Sequence, residues 1–165
     1  MQTLSSKIGL YVLLALSFFA SSCRNDVVFS SLQKVSGKAW KKDAVFLFHF
    51  EIKEPSIPYN ISMQLRNNYA YPYQNIWLIF EQQRFSDLSI KDTIEFRLVD
   101  DYGKWTGKGI SLFQNQFPIR EGYHFPDTGT YTISVRHVMQ DTLLQGIADI
   151  GLLIERSHFL PVSDP

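Results

Sequence analysis

The sequence has one cysteine, Cys23, and no surplus of either charge: 16 Lys and Arg stand against 16 Asp and Glu in 165 residues. A single thiol excludes an intramolecular disulfide framework and any multi-cysteine zinc site. Balanced charge leaves no electrostatic footprint for nucleic acid, and no nucleic-acid partner is expected. The chain has no apolar run long enough to span a bilayer as a permanent helix. It also has no amphipathic helical segment of three turns. A nucleophile-elbow serine, a His-Glu-x-x-His, a Cys-x-x-Cys and a dinucleotide fingerprint are all missing, so neither a catalytic site nor a cofactor is expected. What the chain does have is a globular balance, 45% hydrophobic and 19% charged, which excludes a disordered chain. It is rich in rings, with 13 Phe, 8 Tyr and 3 Trp.

The N-terminus reads as a leader. Met1–Lys7 is polar with one positive charge, and Ile8–Ala20 is an apolar run of 13 residues, the length of a secretory signal's core. Ala20-Ser21-Ser22 then leads directly to Cys23. This resembles a bacterial lipobox, with Ala20 where Leu is commoner, in which the cysteine is acylated and becomes the mature N-terminus. The plainer alternative is an ordinary signal peptide with an incidental cysteine. On the lipobox reading, residues 1–22 are a lipoprotein signal peptide and 23–34 a lipidated N-terminus with a short tether. Residues 35–165 then form a single β-sandwich domain. Acyl chains on Cys23 would anchor the protein to a membrane without spanning it.

After the leader, alternation with period two replaces helical periodicity. Phe46, Phe48, Phe50 and Ile52 oppose Val45, Leu47, His49 and Glu51. Tyr59, Ile61, Met63 and Leu65 alternate with polar neighbours, and so do Ile76, Leu78 and Phe80. The pattern returns at Ile94–Leu98, Tyr131–Val135 and Ile150–Ile154. Turn signals separate these runs at Asn67-Asn68, Asp100–Gly103, Asp127–Gly129 and Gln145-Gly146. Short strands punctuated in this way predict an all-β fold, an antiparallel two-sheet sandwich of Ig-like or jelly-roll-like form with about eight or more strands. Asp127-Thr128-Gly129-Thr130-Tyr131 resembles a tyrosine corner, in which a Tyr hydroxyl bonds nearby backbone.

Several residues merit weighing as a site. Gly103-Lys104-Trp105-Thr106-Gly107-Lys108-Gly109 looks faintly like a phosphate loop. It fails on spacing and on the glycine after Lys108, where magnesium binding needs Ser or Thr, so a tight hairpin or bulge explains it better. His49, His124, His137 and His158 are scattered, and His137 shares a face with Tyr131, Ile133 and Val135, which fits a hydrogen-bonded core histidine. Asp100-Asp101 lacks the alternating acidic loop of a calcium site and reads as a turn. No metal site is expected. Tyr69, Tyr71 and Tyr73 around Pro72, together with Trp105, are candidates for binding a protein partner or a glycan, or else for capping an open end of the sandwich. Val45, Leu47, Trp77 and Ile79 lie on nominally outer faces, either under a second layer or as a patch for association.

The stretch Asn60–Leu78, with its Arg66-Asn67-Asn68-Tyr69 and Tyr71-Pro72-Tyr73-Gln74-Asn75-Ile76-Trp77-Leu78 core, precedes Asp92–Leu98 and the Asp101–Gly109 hairpin. Together with the lipobox, this order resembles the gliding-motility GldH lipoproteins of Bacteroidetes over essentially the whole chain. The resemblance implies a non-enzymatic outer-membrane lipoprotein needed for gliding and connected to the secretion apparatus that delivers motility adhesins. It carries over only Cys23, as the lipid site, because the family has no known catalytic residues. Arg24 in place of an inner-membrane aspartate, and the lack of an acidic run after Cys23, favour an outer-membrane anchor facing the periplasm. Envelope proteins of this group are O-glycosylated at Asp-Ser/Thr followed by an apolar residue, which makes Thr93 and Thr142 candidates. The rival expectation is a glycan-binding envelope lipoprotein stacking sugars on Tyr69, Tyr71, Tyr73 and Trp105. A hydrolase would need an acid–base pair that the sequence does not offer.

Overall fold

A computed structural model of the chain describes residues 26–84 and 90–157. Cys23, the leader and His158 lie outside the described residues. Ten strands follow one another: β1 (Val27–Lys34), β2 (Ala39–Lys41), β3 (Phe46–Ile52), β4 (Tyr59–Asn68), β5 (Asn75–Arg84), β6 (Ile90–Arg97), β7 (Leu112–Tyr123), β8 (Gly129–His137), β9 (Leu143–Gln145) and β10 (Ile147–Arg156). A short 3-10 turn, Ser36–Lys38, joins β1 to β2. Eight strands form two four-stranded antiparallel sheets, ordered β1-β10-β4-β7 and β3-β8-β5-β6, while β2 and β9 pair separately. Assigning the eight to two interleaved Greek keys gives the jelly-roll order, which decides between the two sandwich forms the sequence allowed.

The alternating residues do what their period requires. Ile61, Met63 and Leu65 of β4 and Ile150, Leu152 and Ile154 of β10 turn inward, almost wholly buried. They meet Ile76, Leu78 and Phe80 of β5 and Tyr131, Ile133 and Val135 of β8 from the opposite sheet. The expected tether ran to residue 34, but Val27–Lys34 is β1, hydrogen-bonded along β10 in sheet register. Its mixed sequence of Val, Phe, Ser, Leu, Gln and Lys hides the alternation, because an edge strand buries only one side chain in two and only partly. The described domain therefore begins at β1.

The tyrosine corner forms as its sequence predicts. The Tyr131 hydroxyl donates to the Asp127 carbonyl at 2.8 Å, and the Asp127 N–H donates to the Tyr131 hydroxyl oxygen at 3.3 Å. Around it the interior of this end is filled with rings. Phe125 meets Tyr131, Tyr123, Tyr59 and Phe50 at centroid separations of 4.8, 4.9, 5.4 and 5.8 Å. The Tyr59 hydroxyl closes on the Glu54 carbonyl at 2.8 Å. Burial, with Glu54 close by, raises the proton affinity of that phenol above its ordinary value.

Candidate functional site

The opposite end of the sandwich collects the residues that the sequence singles out. β4 stops at Asn68, whose side-chain oxygen accepts from the Ala70 N–H at 2.9 Å and whose carbonyl accepts from the Tyr71 N–H at 3.2 Å. This turn sends the chain back over the β9–β10 hairpin. There Gly146 (φ +80°) donates no side chain: a Cβ would sit 2.1 Å from the Tyr71 nitrogen. Only glycine lets the two backbones approach so closely. Its carbonyl also accepts from the Asn68 N–H at 2.9 Å, which locks the turn to the hairpin.

The three loop tyrosines consequently take three different environments. Tyr71 points inward, 3% exposed, and its hydroxyl donates to the Asn75 carbonyl at 2.7 Å. Burial, then the nearby Tyr73 and Asp141, hold that hydroxyl protonated far above the ordinary range. Tyr73 is half-buried and donates to the Asp141 carboxylate at 2.8 Å; that bond is the main cause of its raised proton affinity. Tyr69 is 68% exposed, its hydroxyl donating to the Ile110 carbonyl at 3.0 Å.

Trp105 lies in the 98–111 connection, bridged to Val99. It stacks on Phe113 of β7 at 5.6 Å and stands 6.5 Å from Tyr71. Phe113 in turn meets Tyr69 edge-on at 5.0 Å, and Tyr71 meets Tyr73 at 5.9 Å. One continuous file of rings, Tyr69–Phe113–Trp105–Tyr71–Tyr73, thus brings all four expected aromatics together. Its buried centre caps the sandwich and its outer member faces solvent. Phe113 was missed in the sequence, although Phe113, Phe117 and Ile119 alternate, because Asn115 interrupts their apolar period.

That asparagine belongs to a polar seam under the same end. The Thr106 hydroxyl lies 3.1 Å from both the Leu98 carbonyl and Asn115 Oδ1, and Asn115 Nδ2 donates to Asn67 Oδ1 at 3.1 Å. The glycine after Lys108, which argued against a phosphate loop, has its own reason: a Cβ on Gly109 (φ +144°) would fall 1.9 Å from the Leu112 carbonyl oxygen. The segment is a hairpin-like strap fastened to β7. Asp100 makes its turn by accepting from the Tyr102 and Lys104 N–H groups, each at 2.9 Å. At its two tips Tyr102 and Ile110 are 95% and 90% exposed.

Two clefts flank the file of rings. One, of about 690 Å³, has Lys34, Asn68, Ala70, Leu143, Gly146 and Asp149 in its wall. The other, of about 610 Å³, is lined by Thr106, Lys108, Gln114, Asn115, Gln116 and Phe117. Val45, Leu47 and Trp77 lie exposed on the outer face of the β3-β8-β5-β6 sheet, while Ile79, between Arg136 and Thr93 in the register, is covered. Thr93 is exposed on this face, and Thr142 is exposed just before β9. His49 pairs with Thr132 at 2.9 Å. His137 is wholly buried, its Nε2 3.2 Å from the Trp40 carbonyl. No group of three His, Cys, Asp or Glu side chains gathers to hold a metal among the described residues.

The fold and this end define a jelly-roll module whose distinctive surface is a loop end built from aromatic rings. Residues 27–154 match the family described as GldH lipoprotein, and the chain belongs to that family. The matched span runs from the first residue of β1 almost to the end of β10, so the sandwich itself carries the likeness. A gliding motility lipoprotein GldH of Flavobacterium johnsoniae is 28% identical over 156 residues, covering 90% of this chain and 95% of its own. A homolog of that lipoprotein in Christiangramia forsetii is 26% identical over 160 residues, covering 92% and 98% respectively.

Proposed function

We propose that this protein is a non-enzymatic, membrane-anchored accessory component of bacterial gliding motility and of the secretion machinery that serves it. The observation that carries the reading is the family match across the whole sandwich, with relatives named for gliding motility aligned over nine-tenths of the chain. Cys23 bears the acyl chains, and the anchor lies in the outer membrane with the domain on the periplasmic side. Residues 1–22 are the signal peptide, whose removal leaves Cys23 as the mature N-terminus. The groups whose proton affinity is displaced are engaged within the fold: the Tyr59 and Tyr71 hydroxyls and His137 Nε2 bond backbone carbonyls, and the Tyr73 hydroxyl bonds Asp141. The Tyr69 and Trp105 end supplies contact area for a protein partner, and tethering both binders to one membrane raises their effective concentration. Thr93 and Thr142 are the accessible hydroxyls on which envelope O-glycosylation would be found; added hexose in the intact mass of protein from its host is the expected signature.

In-cell cross-linking followed by purification of the tagged lipoprotein tests the reading. Enrichment of gliding or secretion components over other abundant lipoproteins is the expected result. Recovery of polysaccharide-handling proteins alone would overturn it in favour of glycan binding.

A further inference from the structure

We propose that the tyrosine-corner end of the sandwich rests against the lipid surface and that the aromatic loop end is held away from it. The inference rests on the acylation of Cys23 put forward above. Only Arg24, Asn25 and Asp26 separate that cysteine from Val27, where β1 begins. Asp26 is already fixed to the domain, its carbonyl accepting from the Arg156 N–H at 2.8 Å. From the acylated residue to this anchored one there are three residue steps, a reach of about 11 Å even when fully extended. So short a link leaves no room for the domain to stand off from the bilayer. It also decides which corner is held down: the one formed by the start of β1, the end of β10 and the start of β4.

The chemistry of that corner suits a headgroup layer. Its ions neutralise one another: Arg156 pairs with Glu54 at 2.6 Å and Lys53 with Glu51 at 3.8 Å, while Arg84 pairs with Asp127 and Arg120 with Asp92. Carboxylates matched locally by cations present little net negative charge to repel anionic lipid. Pro55, Pro58 and Pro126 restrict the two loops that face outward there. From this end β1 runs eight residues, roughly 27 Å at strand rise, towards the other. At that far side stand Tyr69, Tyr102 and Ile110, the three most exposed large apolar side chains among the described residues. The tether presents them to the aqueous phase and keeps them out of the lipid.

Mature acylated protein, purified from host membranes and reconstituted in phosphatidylethanolamine–phosphatidylglycerol vesicles carrying a nickel-chelating headgroup lipid, tests this directly. Acylation consumes the only native thiol, so Ser56→Cys and Tyr102→Cys each accept a single nitroxide. Both positions are exposed loop residues; Thr128→Cys and Lys104→Cys form a second near and far pair should either variant fold poorly. Headgroup nickel is expected to relax the label at 56 several-fold more than the label at 102. Equal relaxation, or the reverse order, would overturn the orientation while the anchor stands. Wild-type protein that fails to sediment with vesicles, indistinguishable from Cys23→Ser, would overturn the anchor and the orientation together.

Discussion

Both ends of the sandwich are packed with aromatic rings, yet they use them in opposite ways. At the tyrosine-corner end Tyr59, Phe125 and Tyr131 are almost completely buried, and the two tyrosine hydroxyls close on backbone carbonyls four and five residues away. At the loop end the file of rings runs from buried Tyr71, through half-buried Trp105, to Tyr69 in solvent. Of its hydroxyls, that of Tyr71 closes on the Asn75 carbonyl four residues away, while Tyr69 reaches Ile110 and Tyr73 reaches Asp141 across the fold. The first arrangement closes one end locally. The second ties separate loops into a single surface, with clefts on either side. Composition alone cannot tell the two apart, because aromatic content is common to both; what differs is that the central rings of the corner are sealed from solvent while the file at the loop end runs out to exposed Tyr69.

Substitutions at the two ends should therefore separate stability from function. The largest loss of stability is expected for Phe125→Ala, about 3–5 kcal/mol in urea unfolding, since it empties the centre of the closed cluster. Gly146→Ala comes next at about 2–3 kcal/mol, because a left-handed backbone acquires a Cβ against Tyr71. Unlike Phe125→Ala, it should also raise protease cutting in the Tyr69–Gln74 loop. Tyr131→Phe should cost about 1 kcal/mol, the net value of one hydrogen bond. Tyr69→Ala should change stability by less than about 0.5 kcal/mol, as for other exposed side chains. A Tyr69→Ala loss as large as that of Phe125→Ala would show that the loop end, too, is only packing.

The loop end carries a pH dependence through His137. His137 donates through Nε2 to the Trp40 carbonyl, its Nδ1 has no partner, and burial holds its proton affinity below the ordinary value of 6.5. Lys42 lowers it further, while the carbonyls of Trp40 and Lys41 and the charge of Asp141 act the other way. As pH falls through 6.5 the unfolded chain binds a proton before the folded one does, so the stability present above that pH declines below it. The urea midpoint should drop between pH 7.5 and 5.5 in the wild type. It should drop less in His137→Phe, whatever that variant's stability at pH 7.5.

How much of this was legible in the sequence depended on whether a side chain's role was local. The strands β3, β4, β5, β6, β8 and β10 are announced by alternation, and the corner by Asp127 and Tyr131 four residues apart. β7 was hidden because Asn115 occupies an inward position, where Asn67 and Thr106 satisfy it; β1, because an edge strand needs little apolar character. At the loop end the sequence points to the right residues, but their assembly depends on Gly146 meeting Tyr71, 75 positions away, and on Phe113 meeting Tyr69, 44 positions away, as it stacks on Trp105, contacts that no spacing rule encodes. Ile79 drew attention as an outer-face apolar residue, yet its neighbours in the sheet cover it.

The most direct test of the contrast between the ends is site-resolved photo-cross-linking in the living host. A benzophenone amino acid would replace Tyr69 at the loop end or Thr128 at the corner. The account predicts a discrete protein adduct from position 69, containing gliding or secretion components, and none from position 128. The same protein adduct from both positions, or from 128 alone, would contradict it.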